Sequence, residues 1–261
     1  MFRLSDSGED GAIEYTLEGG ARWRVLPAPG DRVPGTFDQD VYVELLRRYQ
    51  DAGEPSDGAI RFTLHAFLRG MGRRVDGRTY EQLRGALVRL ERTTLESTDA
   101  YHSATLGAQR ASFSILSAVS IERRRVADRD QFALFPAISA GEPGEARVVI
   151  APSLRENISA RHSTTLISAR YWALASPVAR RLYRLIEVAR AEDMVGWRVS
   201  LDRLRDQLPL AQKFPSHLQR VLQPAHAMLV DAGLVRSATF RQEQRSWSVD
   251  YVLGMRDMRA E

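Results

Sequence analysis

No cysteine occurs in the 261 residues, which excludes disulfides and thiolate metal sites. Lysine is almost absent: Lys213 is the only one among 37 basic residues, so arginine carries the positive charge. No apolar run approaches the roughly 18–20 residues that a membrane span requires. The opening MFRLSDSGEDG also lacks the apolar stretch of a secretory leader. These absences lead us to expect a cytoplasmic protein that engages no membrane. Catalytic signatures are missing too. Gly30 to Gly35 has the spacing of a phosphate loop, but Thr36 stands where the lysine must be. His65, His102, His162, His217 and His226 form neither HExxH nor the close histidine pair that a nicking relaxase needs. A strand-transferase cluster of His162 with Arg161, Arg170 and Tyr171 is outweighed by a core role for Tyr171 and Trp172. There is no GxSxG and no glycine-rich dinucleotide loop. The expectation is a protein without enzymatic activity, cofactor or metal.

What the chain does contain is a pattern that occurs twice. Residues 59–101 and 196–241 each read as strand, short helix, turn, long amphipathic helix and then strands, and an amphipathic helix precedes each copy. Helix, strand, helix, turn, helix, hairpin is the order of a winged helix-turn-helix. The expected fold class is therefore α+β, mainly helical: two tandem winged helix-turn-helix domains with small antiparallel β-hairpin wings. The divisions are an N-terminal arm or hairpin over 1–35, a first winged-helix domain over 36–150, a linker with a connecting strand or helix over 151–175, and a second winged-helix domain over 176–261.

Local signals fill in this outline. Glu14–Leu17 and Ala21–Leu26 alternate around Gly19-Gly20 as a small hairpin. The first helix runs from about Phe37 to Tyr49, with Val41, Leu45, Leu46 and Tyr49 at helical spacing. Thr79 and Gln82 have capping-box spacing at the start of the helix that carries Tyr80, Leu83, Leu87 and Leu90. Thr94–Tyr101 and Ala111–Val119 read as a hairpin, with Phe132–Phe135 and Arg147–Ile150 as further strands. Arg123–Asp130 reads as a charged loop and Ser139–Gly144 as a turn. Ala151–Ala160 reads as a short helix. Ser176-Pro177 opens another, with Val178, Leu182, Leu185, Ile186 and Ala189 buried and Arg180, Arg181, Arg184 and Arg190 toward solvent. The last long helix, about Ser216 to Ala232, should kink at Pro224, and Leu234–Arg241 with Arg245–Leu253 forms the final wing.

Double-stranded DNA is the partner this order suggests. In the second module, helical phase sets Ser216, Gln219, Arg220 and Gln223 opposite the apolar stripe, with Lys213 in the turn before them. Arginine can read guanine and glutamine can read adenine in the major groove. In the first module, Arg73, Arg74 and Arg78 cluster at the turn and helix start, and Gln82, Arg89 and Arg92 extend that face, with Glu81 among them. This set suits the phosphate backbone or a second subunit. Arg241 and Arg245 flank the last turn, within reach of backbone or minor groove. No exposed strand interleaves arginine with aromatics, so duplex binding is favoured over single strands. A transcriptional repressor using the same fold is an alternative. A protein-interaction scaffold is another, which an apolar face over Ser216–Gln223 would favour. A nuclease would need clustered carboxylates, and Asp202 with Asp206 lacks a third.

Three stretches, VPGTFDQDVYVELL (33–46), RFTLHAFLRGMGRRVDGRTYEQLRGALVRLERTTLES (61–97) and ARRLYRLIEVAR (179–190), resemble the plasmid replication initiator protein A family. Arg181-Leu182-Tyr183-Arg184-Leu185 followed by Arg220-Val221-Leu222-Gln223-Pro224-Ala225 is similar to the iteron-binding initiators more widely. The resemblance spans about residues 33–250. It implies tandem winged helices that bind repeated sites at a replication origin, a homodimer or monomer–dimer equilibrium, and recruitment of host replication proteins. The lysine-poor composition and the long insert at 120–147 depart from the family pattern.

Overall fold

The computed structural model describes residues 1–4, 11–17, 20–103, 107–121, 145–160, 163–164, 166–191, 194–210, 212, 214–244 and 246–254, without the side chains of 102, 103 and 107–109. The expected loop Arg123–Asp130, strand Phe132–Phe135 and turn Ser139–Gly144 lie outside the described residues.

Two hairpin strands, β1 (Ile13–Thr16) and β2 (Arg22–Leu26), open the chain, followed by α1 (Thr36–Asp51), β3 (Ala59–Thr63), α2 (Leu64–Gly70) and α3 (Gly77–Arg92). Next come β4 (Thr94–Ser103), β5 (Gly107–Ser114), β6 (Leu116–Ile121) and β7 (Glu145–Ile150). The helices α4 (Pro152–Ser159), α5 (Ser168–Ala173) and α6 (Pro177–Ala191) lead to β8 (Gly196–Ser200), α7 (Leu201–Gln207), α8 (Pro215–Asp231), β9 (Val235–Glu243) and β10 (Ser246–Leu253). Three antiparallel sheets result, in the orders β1-β2-β4-β5, β3-β7-β6 and β8-β10-β9. Sheet is thus a substantial part of the fold, and "mainly helical" is corrected to a mixture of helix and sheet. The N-terminal hairpin is not a free arm: Val25 pairs with Leu95, and both are buried with Ile13.

The doubled pattern is visible in the element order, down to the caps. Thr63 accepts from Ala66 N–H at 3.1 Å to start α2, and Ser200 accepts from Arg203 N–H at 3.2 Å to start α7. Each hydroxyl satisfies a backbone donor that a helix start leaves free. The halves differ in how they close their sheets. β8 pairs directly with β10 of the hairpin that follows α8. In the first half, β3 pairs with β7, while the β4–β5 hairpin joins the N-terminal strands. The expected second strand Ala111–Val119 is therefore two: β5 ends at Ser114, and β6 belongs to another sheet. The capping box of α3 also sits earlier than expected, because Asp76 accepts from Thr79 N–H at 2.9 Å while Thr79 Oγ1 accepts from Asp76 N–H at 3.0 Å. Ser176 Oγ and Pro177 do open α6. α8 continues through Pro224 to Asp231.

Two apolar clusters fill the molecule. One gathers Val41, Leu45 and Tyr49 of α1 with Phe67, Leu83, Leu87 and Val148. The other gathers Leu182, Ile186, Leu204, Leu218, Leu222, Leu229 and Val249. Val43 of α1 belongs to the second cluster, and Tyr42 and Trp172 touch both. Between them α1 buries Asp38, Gln39, Asp40 and Glu44. Asp40 is the junction: its carboxylate accepts from Arg180 at 2.6 Å, Arg73 at 2.6 Å and the Tyr171 hydroxyl at 2.9 Å. Arg180 also donates to Leu174 carbonyl at 2.7 Å and lies over the Tyr171 and Trp172 rings. Arg180, Arg181 and Arg190 were expected toward solvent, but each is 8% exposed. Different segments cover them: Arg180 meets Asp40 of α1, Arg181 the Gln207 carbonyl at the end of α7, and Arg190 the Leu234 carbonyl after α8.

Two outcomes follow from this packing. Asp40→Leu leaves the Arg180 charge buried without its carboxylate and should cost about 3–5 kcal/mol in urea unfolding; adding Arg180→Met should recover part of that loss. His226, 4% exposed with Nε2 2.7 Å from the Tyr251 hydroxyl, is pushed down by burial to about 4. Its unfolded value is the ordinary one near 6.5. The unfolded chain therefore binds the proton more readily, so stability is full above 6.5 and falls as pH drops toward 4. The loss is on the order of 3 kcal/mol at most. Denaturation midpoints between pH 7 and pH 4.5 should show this slope, and His226→Phe should flatten it.

Candidate nucleic-acid interface

The exposed face of α8 is set by its buried one. Leu218, Leu222, Ala225 and Leu229 face the second core, so Ser216, Arg220 and Gln223 fall on the solvent side and Gln219 is half-buried. Phe214 caps the helix with extended backbone and Pro215 takes the first helical position, where its missing N–H costs nothing. No hydrogen bond or ion pair ties down the Arg220 side chain among the described residues. A guanidinium without a protein partner keeps its donor fork free for a base edge or phosphate. Lys213 lies outside the described residues.

At the first module the arginines separate into two kinds. Arg78 and Arg92 are exposed and have no partner among the described residues, and Gln82 is exposed beside them. Arg74 is 87% exposed, with a loose 3.4 Å contact to Asp76. Arg73 is held by Asp40 and lies over the Phe37 ring at 5.7 Å, so a phosphate would have to compete for it. Arg89 departs from the expected face. Its side chain is 14% exposed, 3.3 Å from Asp38 and 3.7 Å from Asp31, and it donates to Gly85 carbonyl at 3.2 Å. Burial pushes the Asp38 carboxyl up, and the Arg89 guanidinium opposes that shift. Asp38 starts α1 inside the protein and requires a cation, which α3 supplies by turning Arg89 inward. Glu81, the acidic residue on this face, pairs with Arg84.

The final hairpin is charged but largely self-satisfied. Asp250 accepts from Arg241 and from Arg198, the latter at 2.6 and 3.0 Å, and Arg198 also reaches Glu243 at 3.2 Å. The Arg198 hydrogen bond, with help from Arg241, holds the Asp250 carboxyl below its ordinary value. Arg241 remains 57% exposed, and Arg245 lies outside the described residues. Two residues beside these surfaces, Phe214 and Arg69, belong to no motif. Phe214 is 66% exposed and meets His217 edge-on at 5.8 Å, two residues before Ser216. Arg69 ends α2 exposed and without a partner among the described residues. Its outward position follows from the buried Leu64, Phe67 and Leu68 on the same short helix. Apart from Phe214, the exposed residues of the 214–223 stretch are Pro215, Ser216, His217, Arg220 and Gln223, so no contiguous apolar face covers it.

Other chemistry finds no support at these places. Asp202 and Asp206 both contact Arg205, at 3.1 and 3.3 Å. Among the described residues, no group of three or more His, Asp or Glu could hold a metal, and no helix is long and apolar enough to cross a membrane.

Comparison with solved structures shows where this fold recurs. The chain superimposes on the crystal structure of domains 2 and 3 of RctB with a TM-score of 0.59 at 12% identity, covering 97% of this chain and 95% of that one. A selenomethionine derivative of the same two domains gives 0.60 at 13% identity. The Pi initiator protein, solved in complex with iteron DNA, gives 0.55 at 16% identity, covering 85% of this chain and 94% of that one. No curated protein sequence matches the chain. The family model for replication initiator protein A matches residues 1–226, from the N-terminus through the first doubled unit and into α8 of the second, and the chain therefore belongs to the replication initiator protein A family.

Proposed function

We propose that the protein is a non-catalytic, sequence-specific duplex-DNA-binding initiator that recognises repeated sites at a replication origin. Two tandem winged helices, over residues 36–150 and 176–261, carry out the binding. α8 enters the major groove with Ser216, Gln219, Arg220 and Gln223 toward base edges, preceded by Lys213. Arg74, Arg78, Gln82 and Arg92 hold the phosphate backbone from the first domain, with Arg73 joining them on release from Asp40. Arg241 and Arg245 reach the backbone beside the wing. The protein acts as a homodimer or in a monomer–dimer equilibrium, recruits host replication proteins and resides in the cytoplasm on its replicon.

One observation carries this reading: among the described residues Arg220 stands without a protein partner on a polar helix face, while most buried arginines are paired. The complex of the Pi initiator with iteron DNA supports the choice of ligand. Selection from a pool of random duplexes, repeated at two salt concentrations, tests it. An enriched motif should emerge, with affinity falling steeply as salt rises. Arg220→Ala and Gln223→Ala should each lose about 1–3 kcal/mol and relax preference at one base position. Arg78→Ala should weaken all sequences alike and reduce the salt slope by about one. Arg89→Ala should lower folding stability instead. No enriched motif, together with flat salt dependence, would overturn the proposal.

A further inference from the structure

Four arginines of α6 sit at least partly inside the protein, and among the described residues only two have a carboxylate. Arg180 is neutralised by Asp40 and Arg190 by Glu187. Arg181 is 8% exposed, donates Nε to Gln207 carbonyl at 3.2 Å and meets no acidic side chain among the described residues. Arg184 lies over the Tyr42 ring at 5.2 Å and the Phe2 ring at 5.8 Å, and its Nη1 is buried without a hydrogen-bond partner. Three residues apart on one helix, the two guanidinium groups share a face. Burial, and then the Arg184 charge, press Arg181 down to about 10. Two neighbouring cations withdrawn from water are costly unless an anion is supplied.

Both arginines line a cavity of about 280 Å³ between α1 and α6. Tyr42, Leu46, Leu185 and Val188 form its apolar wall, and Ser163 and Thr164 bring hydroxyls. No carboxylate lines it among the described residues. The remaining cation, Arg47, is already paired with Glu44 and Asp51. The site therefore combines two positive charges, uncompensated among the described residues, with an apolar and aromatic wall. Its volume lies at the small end of ligand pockets, which run roughly 300–1,000 Å³. Guanidinium forks match phosphate oxygens in pairs, and a phosphate monoester carries the two negative charges the site lacks. We infer that this cavity binds a small phosphate monoester with an apolar or planar body, the class that includes nucleoside monophosphates. The phosphate sits on Arg181 and Arg184, and the body lies against Tyr42, Leu185 and Val188. The site is distinct from the α8 face proposed for DNA and does not depend on that assignment.

Isothermal titration of the full chain with AMP, GMP, CMP and UMP provides the test, with adenosine and inorganic phosphate as partial probes. At least one of the four nucleotides should bind saturably at one per chain and raise Tm. Its affinity should exceed that of inorganic phosphate, and adenosine should not bind. Arg184→Met should weaken the nucleotide at least tenfold. Val188→Asp, at a position 49% exposed that tolerates the change, should do the same by adding a like charge at the rim. Arg220→Ala should leave nucleotide affinity within twofold. The inference is overturned by saturable binding of none of the four nucleotides. Adenosine binding as tightly as AMP, or affinity unchanged in both Arg184→Met and Val188→Asp, overturns it equally.

Discussion

A carboxylate that is 2% exposed needs positive charge and hydrogen bonds around it, and Asp40 draws these from three separated parts of the chain. Arg73 comes from the turn before α3, Tyr171 from α5 and Arg180 from α6. An ion buried this deeply is stable only when its remaining lone pairs are filled, so the three donors must arrive together. That requirement fixes α1 against α6 and therefore sets one apolar core beside the other. Gln39 adds a weaker tie to the Pro177 carbonyl at 3.5 Å. The orientation of α3 and α8, the two helices that carry the proposed DNA contacts, depends on this polar junction as well as on apolar packing.

The arginine content gains meaning when divided by what each side chain touches. Arg89, Arg180 and Arg190 are inside and matched to carboxylates, where their planar forks serve the fold. Arg78, Arg92 and Arg220 are outside and unmatched among the described residues, so their donors are open to an external anion. Arg181 is buried and Arg184 half-buried, and neither meets a carboxylate among the described residues, the combination on which the proposed phosphate site rests. Net charge of +4 conveys none of this, because it sums groups whose environments differ completely.

Periodicity and caps made much of the local structure readable. The stripe Leu83, Leu87, Leu90 predicts α3, the stripe Leu218, Leu222, Ala225, Leu229 predicts α8, and the repeated strand–helix–helix order is legible in the sequence. Strand pairing was less readable. The β4–β5 hairpin was expected, but its partners are β1 and β2 at the other end of the chain, and β3 pairs across a long interval with β7. Alternation tells which residues face inward and is silent about which strand lies alongside.

Absence of cysteine chemistry, the doubled order of elements and the family motifs are all properties of the linear chain. So is the polar face of α8, because helical phase is a local property of the chain. The environment of each arginine, by contrast, depends on long-range packing. Arg89 looks outward on a helical projection of α3 until Asp38 of α1 is brought beside it. Arg181 belongs to the solvent face of α6 until α1 and the N-terminal residues cover that face. Burial of a charge depends on which distant segment arrives over it, and a pattern confined to one helix carries no record of that neighbour.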